Sequence, residues 1–179
     1  MNDAQAKGRR TLILIALIFS LPIVGAMYMY FSGTSIPISS TVKGNLISPP
    51  KPMSEEAFTK LWSLLVLTGD QCDQTCLDSL VSIRQIRLSL GPKMPRVQTV
   101  YLPAANTAIN PKLAPQFPKL IVVPPERSVI TREEIGTFTN GEIFLVDPLG
   151  NLMMSYPAGT EMGDIRKDMA HLLKLSGIG

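Results

Sequence analysis

From Thr11 to Val42 the sequence holds no Asp, Glu, Lys, Arg or His, and within that stretch Leu12 to Phe31 is almost wholly apolar. About 20 such residues are what a helix needs to cross a bilayer. Lys7, Arg9 and Arg10 precede the run against a single Asp3, so the positive-inside bias predicts a cytoplasmic segment 1–10 and sends the remainder across. A cleaved leader is the competing reading, because Val24-Gly25-Ala26 offers small residues to a signal peptidase. The apolar stretch runs on through Met27, Tyr28, Met29, Tyr30 and Phe31, however, and the paired tyrosines suit an outer interface. Length therefore favours an uncleaved transmembrane helix over 11–31. The prediction is a single-pass inner (plasma) membrane protein with a periplasmic, extracytoplasmic C-terminal domain.

Most of the formal charge of +3 belongs to this anchor, since removing its three cations and Asp3 leaves 14 basic and 13 acidic side chains. No basic face or stripe remains to mark a nucleic-acid partner. An apolar fraction of 45% with 17% charged residues gives one ordinary domain a core to bury. Residues 32–53, rich in Ser, Pro, Gly and Thr, read as a linker without helical or strand period. The domain is expected over 54–179.

Inside the domain, Ser54 to Phe58 reads as a short capped helix. Leu61 to Thr68 is a near-continuous apolar run of strand length, the pattern of a strand covered on both faces. From Asp73 to Leu90, Cys76, Leu80, Ile83, Ile86 and Leu90 recur at helical spacing, and Gly91 is placed to stop the helix. Val97 to Leu102 then completes a strand-helix-strand unit. Residues 103–118, with four prolines, read as a loop with one helical turn, and Leu120 to Val123 as a third strand ended by Pro124-Pro125. Glu142 to Val146 and Leu152 to Tyr156 form a hairpin around Asp147-Pro148-Leu149-Gly150. Glu161 to Leu175 is an amphipathic helix with Met162, Ile165, Met169, Leu172 and Leu173 on one side and Thr160 as its cap. This order outlines an α/β, thioredoxin-like domain, a central mixed sheet flanked by helices, behind one N-terminal transmembrane helix.

Cys72 and Cys76, the only two cysteines, fall where the buried strand hands over to the helix. The free N–H groups and positive end of a helix N-terminus favour thiolate there. If the first turn were helical, sulfurs four residues apart would share a face with Cα atoms ~6 Å apart, within reach of a disulfide. That spacing permits a disulfide, a two-coordinate Cu(I) site or part of a larger metal site. Cys72 is the candidate attacking sulfur. Asp70, Asp73 and Asp78 crowd the pair and no cation or histidine stands within seven residues, so a modest nucleophile is expected. A merely structural bridge would contribute little, because so short a loop removes little chain entropy.

Lys60 to Leu67 followed by Cys72-x-x-x-Cys76, together with Phe144-Leu145-Val146-Asp147-Pro148-Leu149-Gly150, resembles the Sco/SenC family of membrane-anchored, thioredoxin-like cytochrome c oxidase assembly proteins. The likeness covers roughly residues 45–175. It implies that Cys72 and Cys76 carry copper to, or reduce the cysteines of, the dinuclear copper site of cytochrome c oxidase subunit II, alone or with other assembly factors. The family's third copper ligand is a histidine just ahead of the strand Ile143 to Val146, where this chain has Thr139 or Asn140. The sole histidine, His171, falls on the polar side of the last helix and reads as solvated. Met153, Met154, Met162 and Met169 are soft enough for Cu(I) but sit at packing positions. Glu55-Glu56 and Glu133-Glu134 point in different directions with no histidine nearby.

Three functions follow from these residues. The first is a thiol-disulfide protein assisting oxidase copper-site assembly, with Cys72 forming the mixed disulfide and Cys76 resolving it. The second is a Cu(I) metallochaperone holding its ion on both thiolates. The third is a non-catalytic docking protein whose disulfide is structural.

Overall fold

The computed structural model describes residues 3–32, 42–69, 71–104 and 114–179. Two compact units emerge, Met1–Ser40 and Thr41–Gly179. The first is built on helix α1, Asp3–Ser32. Its segment Gly8–Met29 has a mean hydropathy of 2.4, long and apolar enough to cross a membrane, and none of it is buried inside the protein.

The second unit is organised by one six-stranded mixed sheet. Strand β1 is Asn45–Pro52, β2 Trp62–Leu67, β3 Val97–Leu102, β4 Leu120–Val122, β5 Ile143–Val146 and β6 Asn151–Tyr156. They lie in the order β1-β6-β5-β2-β3-β4. β2, β3 and β4 run parallel, while β5 lies antiparallel to β2, β6 to β5 and β1 to β6. Every residue of β2 is buried, which accounts for its unbroken apolar sequence.

The pleat divides β2 between two cores. Leu64 and Val66 meet Leu80, Ile83 and Ile86 of helix α2, Gln74–Ser89, and Ile165, Met169 and Leu173 of helix α4, Met162–Leu175. Leu65 and Leu67 face the other way, onto Phe58, onto Val123 just after β4, and onto Ile135, the last residue of helix α3, Pro125–Ile135. Helices therefore cover both faces of a mixed sheet, as the order of apolar runs predicts.

Four local expectations change. The stretch read as linker contributes β1, whose three prolines are tolerated because an edge strand need not donate from every N–H; its register against β6 shifts between Leu46 and Lys51. Helix α3 was not anticipated, although Pro125 stands at its first turn and Gly136 directly follows it. Thr160 does not cap α4. Glu161 occupies that position without a side-chain bond, and the Thr160 hydroxyl donates to the Pro157 carbonyl instead. Met162, first residue of α4, is 41% exposed rather than in the core stripe, because a helix's first turn overhangs what it packs on. Of the predicted loop 103–118, positions 105–113 lie outside the described residues, and Ala114–Gln116 form one 3-10 turn.

A carboxylate ties the start of the sheet to α4. Asp168 is almost fully buried, and its Oδ2 accepts from the Lys43 N–H at 2.8 Å, the Gly44 N–H at 3.1 Å and the Tyr156 hydroxyl at 3.1 Å. Gly44 is required by contact, since a Cβ there would lie 2.6 Å from the Tyr156 ring. Burial, reinforced by the charge and hydrogen bond of Asp168, pushes the Tyr156 phenol far above its ordinary value of 10.0. Two outcomes are expected. Asp168→Ala strands three donors and should lower unfolding free energy by about 2–3 kcal/mol in chemical denaturation. Because the folded Tyr156 holds its proton more tightly than the unfolded one, its contribution is complete below pH 10 and is lost as pH rises beyond; Tyr156→Phe should flatten the fall in melting temperature on the alkaline side.

Candidate functional site

The site forms where β2 ends. Beyond Leu67 the chain turns through Thr68 and Gly69, reaches Gln71 and Cys72, and enters α2 at its N-cap, Asp73. Asp73 is a favoured cap because its carboxylate satisfies a free backbone donor of the first turn; here Oδ1 accepts from the Cys76 N–H at 3.0 Å. The first helical bond runs from the Leu77 N–H to the Asp73 carbonyl.

Cys72 and Cys76 are joined in a disulfide, with Cα atoms 5.2 Å apart. The route differs from the one predicted. Cys72 precedes the N-cap in a tight turn, where the Asp73 N–H donates to the Gln71 carbonyl at 3.2 Å, rather than sharing a helical face with Cys76, so the bridge clasps the cap residue between its ends. Cys72 is half-buried and reaches the surface, whereas Cys76 is fully buried against Leu80 and Val66 in the core. Of the acidic neighbours, Asp70 lies outside the described residues and the other two take on definite roles. Asp73 is the cap, and Asp78 accepts from the Gln74 amide at 2.7 Å.

The loop entering β5 supports this turn from the side. The Asn140 side-chain oxygen accepts from the Gly69 N–H at 2.9 Å and faces the Thr68 hydroxyl at 3.2 Å. The same hydroxyl donates to the Gln71 carbonyl at 2.9 Å. Gly141 donates to the Leu67 carbonyl at 3.1 Å, and its own carbonyl accepts from the buried Ser79 hydroxyl of α2 at 2.6 Å. Gly141 has φ +76° and a Cβ there would lie 2.9 Å from the Thr75 carbonyl oxygen, so both backbone and space demand glycine. From α3, the Arg132 guanidinium donates to the Thr68 carbonyl and stacks on Phe138, 4.7 Å from the ring centre. Tyr101 lies buried nearby; burial raises its phenol pKa, with Thr68 and Arg132 acting in the opposite direction.

Of Thr139 and Asn140, it is Asn140 whose side chain reaches the turn ahead of Cys72. The Thr139 N–H and hydroxyl instead meet the Glu142 carboxylate. Asn140-Gly141 reads in sequence as a simple turn signal, and its reach to Gly69 across 71 residues carries no local mark. Ser79 and Arg132 were likewise not foreseen. His171 is exposed on α4, Met154 and Met169 are buried in the core, and Met153 packs partly against it. Glu55 caps the turn Glu56–Phe58 and pairs with Arg127 at 3.3 Å, while Glu134 accepts from the Ser54 backbone N–H and hydroxyl. One member of each glutamate pair, Glu55 and Glu134, thus holds α3 to the segment before β2.

As a metal site the pair is spare. A disulfide must be reduced before it offers the thiolates that Cu(I) takes. Among the described residues no group of three or more His, Cys, Asp or Glu could hold a metal ion, and the Asn140 oxygen is engaged by Gly69. Among the described residues, the donors brought together here are the two sulfurs.

Residues 62–176 match the family described as transmembrane-like, thioredoxin-like, C-terminal domain. The chain belongs to that family. No curated protein matches it by sequence. Among solved structures, this thioredoxin-like chain is similar to apo Sco1 from Thermus thermophilus, at 20% identity and a TM-score of 0.58, over 76% of this chain and 98% of that one. Copper-bound ScoI from Arabidopsis thaliana gives 13% and 0.54 over 74% and 99%. A secreted thiol-disulfide isomerase from Corynebacterium glutamicum gives 11% and 0.51 over 66% and 74%. At these identities the likeness establishes a thioredoxin-like fold of Sco type, and no more.

Asn140→Ala is expected to cost about 1–2 kcal/mol in unfolding experiments, the penalty for orphaning a half-buried N–H. It should also speed reduction of the disulfide by dithiothreitol, followed by thiol trapping, because the turn ahead of Cys72 loses its support. Asn140→Asp, which keeps an acceptor, should restore most of both.

Proposed function

We propose that this domain is a membrane-tethered thiol-disulfide exchange protein acting on the extracytoplasmic side, and that it works as a reductant. The observation that carries the reading is the asymmetry of the pair, one cysteine only partly buried ahead of a helix N-terminus and the other fully buried beneath it. In the reduced form, the Cys72 thiolate attacks a partner disulfide, forming a mixed disulfide and releasing one partner thiolate. The Cys76 thiolate then attacks Cys72, releasing the second partner thiolate and leaving the bridge seen here. Two electrons pass to the partner, and a dithiol donor must return them.

The direction of transfer rests on charge. A couple becomes oxidising when its reduced form is stabilised by cations or helix dipole. Here the Asp73 carboxylate sits between the two cysteines and accepts the very N–H of Cys76 that could otherwise face a thiolate. Thiolate is thereby disfavoured and the disulfide favoured, which makes the dithiol a good donor of electrons.

The resemblance to Sco/SenC proteins points to the cysteines of the copper site in cytochrome c oxidase subunit II, or to an associated assembly factor, as the partner. It also supports the domain plan of a cytoplasmic 1–10, a span over 11–31 and a periplasmic domain, now with β1 joined to its sheet. A second reading, Cu(I) held as cargo on the two thiolates, draws on the similarity to a copper-bound ScoI.

Redox titration should place the Cys72/Cys76 couple near the reducing, thioredoxin end of the dithiol range, about −270 mV, and far from the oxidising end near about −120 mV. Cys76→Ser should accumulate mixed disulfides through Cys72 that Cys72→Ser does not form. A potential well below about −300 mV would mark an inert bridge instead. One equivalent of Cu(I) bound tightly by the reduced protein, and lost in Cys72→Ser, would move the assignment to the cargo reading.

A further inference from the structure

Helix α2 carries a second feature that the disulfide does not explain. Its outer side and the edge of the sheet diverge around a cleft of about 180 Å³. Leu80 and Leu88 of α2, Met94, Phe117 and Leu120 supply apolar walls. Leu88, 53% exposed, stands at the mouth. Arg84, Arg87 and Lys119 also line it, and no aspartate or glutamate does so among the described residues. Arg87 is steadied by donating from Nε to the Val97 carbonyl. Leu80, Arg84 and Leu88 recur at intervals of four, so they follow one another along about 12 Å of helix, and Leu80 lies one turn beyond Cys76.

Size and charge together specify an occupant. An apolar cavity of ~150 Å³ takes up a benzene-sized molecule, so this cleft accepts one aromatic or branched aliphatic side chain and is too small for the length of a lipid acyl chain. Three cations around an apolar pocket without a counter-charge favour anionic groups flanking that side chain. We propose that the cleft between α2 and β4 is a docking site for an acidic polypeptide segment that inserts a single large apolar side chain. The site stands on geometry separate from the disulfide and does not depend on whether the pair exchanges electrons. It adds a recognition surface on the helix that bears Cys76, with specificity for the partner's sequence rather than for its sulfur.

The test uses the full chain in phosphatidylcholine nanodiscs and a fluorescein-labelled peptide, Asp-Glu-Phe-Asp-Glu, read by anisotropy. Saturable binding is expected, weakened at least about fivefold in the double variant Arg84→Glu, Lys119→Glu, whose two sites are exposed enough to leave folding intact. Replacing Phe by Ser in the peptide, or its acids by lysines, should weaken binding at least as much, and raising salt should do so too. Binding unaffected by the double variant overturns the proposal, as does equal binding of the lysine peptide or no binding up to millimolar concentration. Loss of peptide binding when a third of the lipid is phosphatidylglycerol would assign the cations to lipid headgroups and overturn it as well.

Discussion

The functional end of this molecule depends on one short exchange of hydrogen bonds, between Asn140-Gly141 and the last residues of β2. Leu67 is the final residue of the most deeply buried strand, and its carbonyl would be stranded without the Gly141 N–H. Asn140 then extends the pairing past the end of the strand by accepting from Gly69, and Ser79 closes the circuit back to α2. Three elements distant in sequence are locked at the turn that leads into Cys72. The position of Cys72 is thus set by the sheet and not by the disulfide alone.

What was legible beforehand follows from the range of the forces involved. The α/β class and the strands β2, β3, β5 and β6 show directly in apolar runs and in the Asp147 to Gly150 turn, because burial on one or both faces writes itself into local composition. Helix α2 is equally plain from its stripe. β1 is not, since an edge strand with three prolines owes its existence to β6, more than 100 residues away. α3 was missed because only Ser128, Thr131 and Ile135 of its residues are buried, two of them polar, so its stripe is faint against its clear proline start and glycine stop. The spacing of the cysteine pair allowed a disulfide, and the structure has one. Its actual path, with Cys72 outside the helix and Asp73 capping between, required the cap to be seen.

Asp73 illustrates how one residue serves structure and chemistry at once. The helix needs an acceptor at that position, and serine or threonine would serve. An aspartate adds a negative charge beside both sulfurs, trading thiolate stability for helix stability. Asn140 shows the complementary economy, a polar side chain committed wholly to backbone support at the end of β2.

The Asp168 clamp acquires a mechanical meaning once the chain is considered as something that can be pulled. Tension entering the domain from the N-terminal side reaches Lys43 and Gly44 first, and there meets a buried carboxylate before it reaches the β1–β6 ladder. Force is thereby diverted into α4 and Tyr156, on the layer that also holds α2, instead of peeling the proline-rich edge strand from the sheet.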